Sequence, residues 1–266
     1  MRRFTQHNLF LQFIEKTVKS NPFIYKIAFS LKNNFFRNYF HESDLFGLRL
    51  LKDYKKKNLI IDIGANVGQS IDFFRNNFSK KIYAFEPNLK LKKILMRKFK
   101  SNKSIKIFFC ALSDKNSYKK YYIPTYKGIA LHQSASLEKN EIYSTLKEYL
   151  KVRKSDISVK LTKIKTKTLD SFKLNPFIIK IDCEGHELNV LKGMKKTLKC
   201  RPILFIENSR SNFHLLKQKL IKEYKYLAFG YDKNKNEFST KNLSYRLNVF
   251  FIHKNDLNFK NIINKT

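Results

Sequence analysis

The segments "DIGANVG" (62–68) and "KIDCEGHE" (180–187) gather acids, an amide, glycines and a histidine directly after apolar runs, where side chains can meet a ligand. In the first, Asp62 closes the run "NLII". Gly64 and Gly68 then flank a turn before a helix-like pattern that begins near Val67. Glycines there let the backbone approach a ligand closely, and a helix N-terminus offers N–H groups with no partner inside the helix. About twenty residues further on, Glu86 ends the next apolar run, a position from which an acid accepts hydrogen bonds from both ribose hydroxyls. The implied ligand is a nucleoside. A dinucleotide does not fit, because Ala65 and Asn66 stand where G-x-G-x-x-G needs its middle glycine, and Asp62 would repel a pyrophosphate. An acid at that point suits a cationic ligand, such as the amino group of S-adenosylmethionine. "CALSD" ends a third run, which places Ser113 and Asp114 to meet an adenine ring.

The second segment supports two chemistries. Asp182 follows the run "PFIIKI", and Glu207 and Asn208 follow the run "PILFI". If those runs are adjacent strands, the three side chains offer oxygen ligands of the kind that hold Mg²⁺ or Mn²⁺. Such an ion lowers the pKa of a substrate hydroxyl and orients it for attack. Alternatively, Asp182 or His186 accepts the hydroxyl proton directly. His132, in "LHQSAS", is a further candidate base, with Gln133, Ser134 and Ser136 beside it for substrate hydroxyls. Bland roles suffice for the remaining residues: Glu184 favours a helix dipole, Glu187 is solvated on the first turn, Gly185 permits a tight turn, and Cys183 fills core space.

The elements that must position these residues read as α/β. "NLIIDIG", "KIYAFEP" and "SIKIFFCALSD" are strand-like runs. The helix faces between them carry Val67, Ile71, Phe74 and Phe78, then Leu91, Leu95 and Phe99. This alternation, in roughly 25-residue units, argues for a parallel sheet flanked by helices, with ligands at the strands' carboxyl ends. Residues 115–160 interrupt the rhythm with a Tyr-rich segment, a polar loop and a helix, in the manner of a substrate lid. The sheet is expected to resume at "SVKLTKIKT" and "PFIIKID". A helix carrying Leu188, Leu191 and Leu198 follows, then "PILFIEN", a helix with Leu215, Leu216 and Leu220, and an antiparallel pair formed by "YLAFGY" and "LNVFFIH". Residues 1–57 read as a helical cap, with Phe10, Ile14, Val18, Ile24, Ile27, Leu31 and Phe35 at helical spacing.

The chain has 266 residues and a formal net charge of +34, and all but 10 of its 55 basic residues are lysine. A surface built to read phosphate would favour arginine, whose planar fork makes bidentate contacts. The lysine excess, with abundant Asn, Ile, Phe and Tyr and no Trp, is the profile of AT-rich codons and reads as solvated surface. Nucleic acid and anionic lipid headgroups remain candidate partners, because so positive a field attracts both. The three cysteines have no CxxC spacing, which points to a reducing compartment without disulfides or structural zinc. Polar residues break the apolar stretch of the first 20 residues, arguing against a secretory signal, and no run reaches membrane-span length. The expected location is cytoplasmic, with the basic N-terminal helices available for the inner face of the membrane.

In order along the chain, "IIDIGANVG", "YAFEPN", "CALSD", "KTLDSF", "IKIDCEGHELNVLKG" and "PILFIEN" resemble the FkbM-type methyltransferases, over about residues 58–210. The resemblance implies a class I, Rossmann-like fold with a seven-stranded, mostly parallel sheet and helices on both faces, spanning 58–266. It implies S-adenosylmethionine as methyl donor, with Asp62, Gly64, Asn66 and Gly68 at its methionine end, Glu86 at the ribose and Asp114 at the adenine edge. The expected activity is O-methylation of a small hydroxyl-rich acceptor, a sugar or nucleotide-linked sugar, in a setting such as bacterial surface-polysaccharide assembly. Two rivals stand beside it: ribose 2′-O methylation of RNA, motivated by the charge, and a noncatalytic peripheral membrane protein that keeps a nucleoside pocket.

Overall fold

The computed structural model describes residues 43–52, 58–126, 128–150, 153–208 and 212–256. The helical periodicity read at Phe10–Val18 and Ile24–Phe35 lies outside them. The chain divides into two compact units, a smaller one at Lys120–Thr162 and a larger one at Glu42–Lys119 with Lys163–Thr266.

The larger unit is built on an eight-stranded sheet. Its parallel part contains β1 (Leu59–Ile63), β2 (Lys81–Phe85), β3 (Ile105–Phe108), β8 (Ile178–Ile181) and β9 (Ile203–Glu207). β10 (Tyr226–Asp232), β11 (Glu237–Ser239) and β12 (Asn248–His253) add antiparallel pairings at one side. Strands follow the order β11-β10-β12-β9-β8-β1-β2-β3. One strand more than expected is present, because a short hairpin appends β11 to β10. The anticipated antiparallel pair of "YLAFGY" and "LNVFFIH" is β10 with β12.

Strands buried on both faces read as continuous apolar runs, and this sheet follows that rule. Successive residues feed opposite cores. Ile60, Ile178 and Phe205 join the layer of α1 (Gln69–Asn77) and α2 (Lys92–Phe99), with Phe73, Phe74, Leu95 and Phe99. Ile61, Ile179 and Leu204 join the opposite layer, with α4 (Glu187–Lys192), α5 (Lys195–Lys199) and α6 (Phe213–Lys222). A 3-10 helix at Ser43–Leu51 buries Leu45, Leu48 and Leu51, the three-residue spacing that stacks side chains on one face of such a helix.

Three local readings need correction. "SIKIFFCALSD" is not one strand: β3 ends at Phe108, and β4 (Ala111–Leu112) pairs instead with β7 (Ile157–Lys167). "SVKLTKIKT" therefore contributes β7 to that pairing rather than resuming the main sheet. The single helix expected across Leu188–Leu198 is two, α4 and α5, parted at Gly193–Met194. A Cβ on Gly193 would lie 1.9 Å from the Ser113 carbonyl oxygen, so backbone packs where a side chain would be needed to continue the face.

In the smaller unit, the Tyr-rich segment is strand. β5 (Ser117–Tyr126) starts in the larger unit and pairs here with β6 (Ile129–Ala130). The expected helix is α3 (Lys139–Leu150), and Ile142 and Leu146 pack with Tyr126, Leu131 and Ile157. Among the described residues, no helix is long and apolar enough to cross a membrane.

Candidate active site

The turn after β1 crosses the carboxyl end of β8. Gly64 has φ +84, and a Cβ there would sit 1.8 Å from the Asp182 carbonyl oxygen, so only glycine fits both the torsion and the space. Gly68, at φ +86, is likewise pressed against the Phe99 ring. Asn66 is also left-handed, at φ 50. Its amide donates to Glu86 Oε2 at 2.7 Å, and the Asn88 amide donates to Glu86 Oε1 at 2.8 Å. Glu86 therefore fastens the glycine turn to the end of β2, and any ribose hydroxyl must use the remaining lone pairs. Burial pushes its carboxyl up to about 7, against those two bonds and reinforced by the nearby Asp62 and Asp182 charges.

Asp62 is completely buried. Ser70 donates to its Oδ2 at 2.6 Å, and the Lys180 ammonium stands 3.7 Å from its Oδ1. Lys180 itself is 5% exposed and donates to Asp182 Oδ2 at 2.9 Å. Parallel pairing sets Asp62 opposite Lys180, so both side chains rise on the same face of the sheet. Burial raises the Asp62 carboxyl, and the Lys180 ammonium opposes that rise. Sequence reasoning misses Lys180. A single lysine inside the apolar run "PFIIKI" is the available signal, since buried lysines require a partner.

At the turn after β4, Ser113 is fully buried and donates to Asp114 Oδ1 at 2.7 Å. Lys119 reaches the same oxygen at 2.7 Å, and this bond holds the Asp114 carboxyl down at about 2. His186 does not stand at the acceptor edge as a base would. It is 2% exposed, with Nε2 2.9 Å from Ser113 Oγ and Nδ1 3.2 Å from Asn189 Nδ2. Glu187 is not solvated either: it is 1% exposed, and its Oε1 accepts from the Cys183 and Gly185 amides at 2.8 and 3.2 Å. The acid inside "KIDCEGHE" thus closes its own turn, where Glu184 and Gly185 are left-handed at φ 52 and φ 97. Cys183 packs partly buried against the core, and burial drives its thiol well above its ordinary value.

The donor set does not fit a divalent ion. Asp182 and Glu207 do end adjacent strands. However, the Lys180 ammonium already holds one oxygen of Asp182. Among the described residues, no group of three His, Cys, Asp or Glu converges as metal ligands would. His132 belongs to the smaller unit, where it opens a 3-10 turn at His132–Ser134. Ser136 in that unit is buried and accepts from the Glu138 amide at 2.9 Å, which makes it a turn residue rather than a substrate contact.

A cationic nucleoside suits these residues better than a metal does. The side-chain oxygens Asp62 Oδ1 and Asn66 Oδ1 are buried without a hydrogen-bond partner, both at the glycine turn. Acceptors left in that state call for a ligand's N–H groups. The sequence model described as "Methyltransferase FkbM domain" matches residues 62–231, well over half of the chain. The chain belongs to the FkbM methyltransferase family. The FkbM domain is an S-adenosylmethionine-dependent methyltransferase of class I fold, and its matched span contains the glycine turn, Glu86, Asp114 and the Lys180–Asp182 pair.

No curated protein matches the sequence. Among solved structures, the FkbM domain is similar to a methyltransferase from Geobacter sulfurreducens, at 9% identity and TM-score 0.44, covering 93% of this chain and 96% of that one. It is also similar to the precorrin-6y C5,15-methyltransferase of Geobacter metallireducens, at 10% identity and TM-score 0.39, over 81% and 88% of the two chains. An rRNA methylase from Streptococcus thermophilus matches at 11% identity and TM-score 0.38, over 79% and 93%.

Proposed function

We propose that this FkbM domain is an O-methyltransferase acting on a hydroxyl of a small, hydroxyl-rich acceptor, a sugar or nucleotide-linked sugar of the kind used in bacterial surface-polysaccharide assembly. The observation that carries the reading is Asp182, a carboxylate at the end of β8 whose side chain is 31% exposed while the lysine that pairs with it is buried. S-adenosylmethionine supplies an electrophilic methyl group. Asp182 takes the hydroxyl proton as the new oxygen–carbon bond forms and the carbon–sulfur bond breaks. Lys180 holds one of its oxygens, which leaves the other for the acceptor. No step needs a metal.

The alternatives have less support. Methylation of an exocyclic amine uses an Asn/Asp-Pro-Pro-aromatic motif, and "DCEG" stands at the corresponding turn. Methylation of cytosine C5 needs a cysteine thiolate, and burial holds the Cys183 thiol protonated. The three cysteines are unpaired, consistent with a cytoplasmic reaction.

The test offers methyl-labelled S-adenosylmethionine with a nucleotide-sugar extract and with total RNA, each with and without EDTA. Label in the sugar fraction that survives EDTA is expected. Asp182→Asn should lower that transfer by about 10²-fold or more, whereas His132→Ala should not. Label confined to RNA would replace the acceptor assignment with ribose methylation. Loss on chelation would restore a metal-assisted route.

A further inference from the structure

The buried histidine of the second segment is left without a catalytic task, yet both of its ring nitrogens are engaged. The hydrogen bonds fix its form. Ser113 spends its one hydroxyl proton on Asp114 Oδ1, so at 2.9 Å from His186 Nε2 the serine oxygen must accept. Nε2 therefore carries the proton. On the other side of the ring, Asn189 Nδ2 is a donor, so Nδ1 is the acceptor. Nε2 donates and Nδ1 accepts, which leaves the ring no lone pair for a substrate proton.

Helix α4 holds the same serine at its other end. The backbone of Gly193, which caps the helix, lies so close to the Ser113 carbonyl that a Cβ would overlap it at 1.9 Å. One short helix thus grips Ser113 by side chain and by main chain, across 73 residues of sequence in the case of His186.

We infer that His186 is a positioning residue for the purine of the methyl donor. The chain Asn189–His186–Ser113 holds Asp114 Oδ1 in place together with Lys119, which presents Oδ2 to the exocyclic amine of adenine. The turn that carries the acceptor-side acid Asp182 therefore also sets the selectivity of the donor side. The inference rests on the donor-binding reading of Asp114 and is independent of the acceptor's identity.

Calorimetric titration of the full chain with S-adenosylhomocysteine and with its inosine analogue tests it, because the analogue turns a carbonyl toward Asp114 where adenine has an amine. The wild type should prefer the adenine form by at least about tenfold, as expected for a hydrogen-bonding site facing a ligand that lacks the donor. His186→Leu should erase most of that preference, and His186→Gln, which keeps an N–H near the Nε2 position, should retain it within about threefold. Ser113→Ala, which breaks the chain from the other end, should match His186→Leu, so a folding defect peculiar to one variant does not decide the matter. Undiminished preference in both His186→Leu and Ser113→Ala would overturn the positioning role. A wild type with no preference would remove Asp114 from the adenine edge, and the inference with it. Failure to bind either ligand would sink the donor reading itself. None of these outcomes bears on whether the acceptor is a sugar.

Discussion

At the residue scale, the site runs on buried charge, and buried charge can be measured. Lys180 serves two carboxylates, Asp62 and Asp182, from a position 5% exposed. Removing one partner of a buried pair costs roughly 3–5 kcal/mol, because the survivor is left uncompensated, whereas replacing both is far milder. Lys180→Met should therefore destabilise the chain by about that amount in urea titrations. Adding Asp62→Asn should restore most of the stability without restoring methyl transfer, since Asp182 still lacks its ammonium and the donor loses the Asp62 carboxylate. A double variant with wild-type turnover would show that Lys180 is structural alone. Glu86 adds a pH dependence. Its carboxyl stands at about 7 in the fold against an ordinary 4.5, so its contribution to stability is complete below pH 4.5 and is lost as pH rises through 7. The whole effect is roughly 3 kcal/mol. Between pH 5 and pH 8 the wild type should lose about 2–3 kcal/mol more stability than Glu86→Gln, which cannot ionise. Parallel stability curves for the two proteins would contradict the assignment.

At the element scale, the glycine turn is held from outside itself. Lys98 on α2 donates to the Val67 carbonyl at 2.7 Å and pairs with Asp72 on α1 at 3.1 Å. It thereby ties the second helix to the first at the glycine turn. Lys98→Met should cost about 1–3 kcal/mol and weaken S-adenosylhomocysteine binding several-fold in calorimetry, because Arg75 still pairs with Asp72 but nothing replaces the bond to Val67. Unchanged affinity would place the donor's anchor elsewhere. The split of α4 from α5 belongs to the same scale. Leu188, Leu191 and Leu198 keep a helical period that predicts one continuous helix. The close approach of Gly193 to Ser113, a tertiary contact, is what parts it.

At the scale of the whole molecule, the net charge of +34 invites a nucleic-acid reading that no feature of the site requires. A protein that neutralises several phosphates loses affinity steeply with salt, by about 10³-fold or more between 50 and 200 mM. Transfer to a sugar acceptor should change by less than about threefold over that range, because few ions are released when a small ligand binds. A steep fall would give the charge a functional meaning and favour RNA.

The order of motifs, the nucleoside ligand and the parallel sheet are all legible in the amino-acid sequence, because each depends on local signals. Apolar runs of strand length, helical spacing at Ile71–Phe78, and Gly64 and Gly68 set between an acid and a helix are readable within a window of a few turns. What the tertiary structure alone decides is which of those pieces are neighbours. The strand order puts β1 beside β8, although more than 100 residues separate them in sequence. That adjacency turns a lysine inside an apolar run into the partner of two acids. In the same way, β9 ends against the 243–247 turn, so the Asn208 side-chain amide donates to a carbonyl there, and His186 meets Ser113. Periodicity encodes which face of an element is buried. It carries no information about which distant side chain will lie opposite, and for polar groups in a low-dielectric interior that partner decides both charge and role.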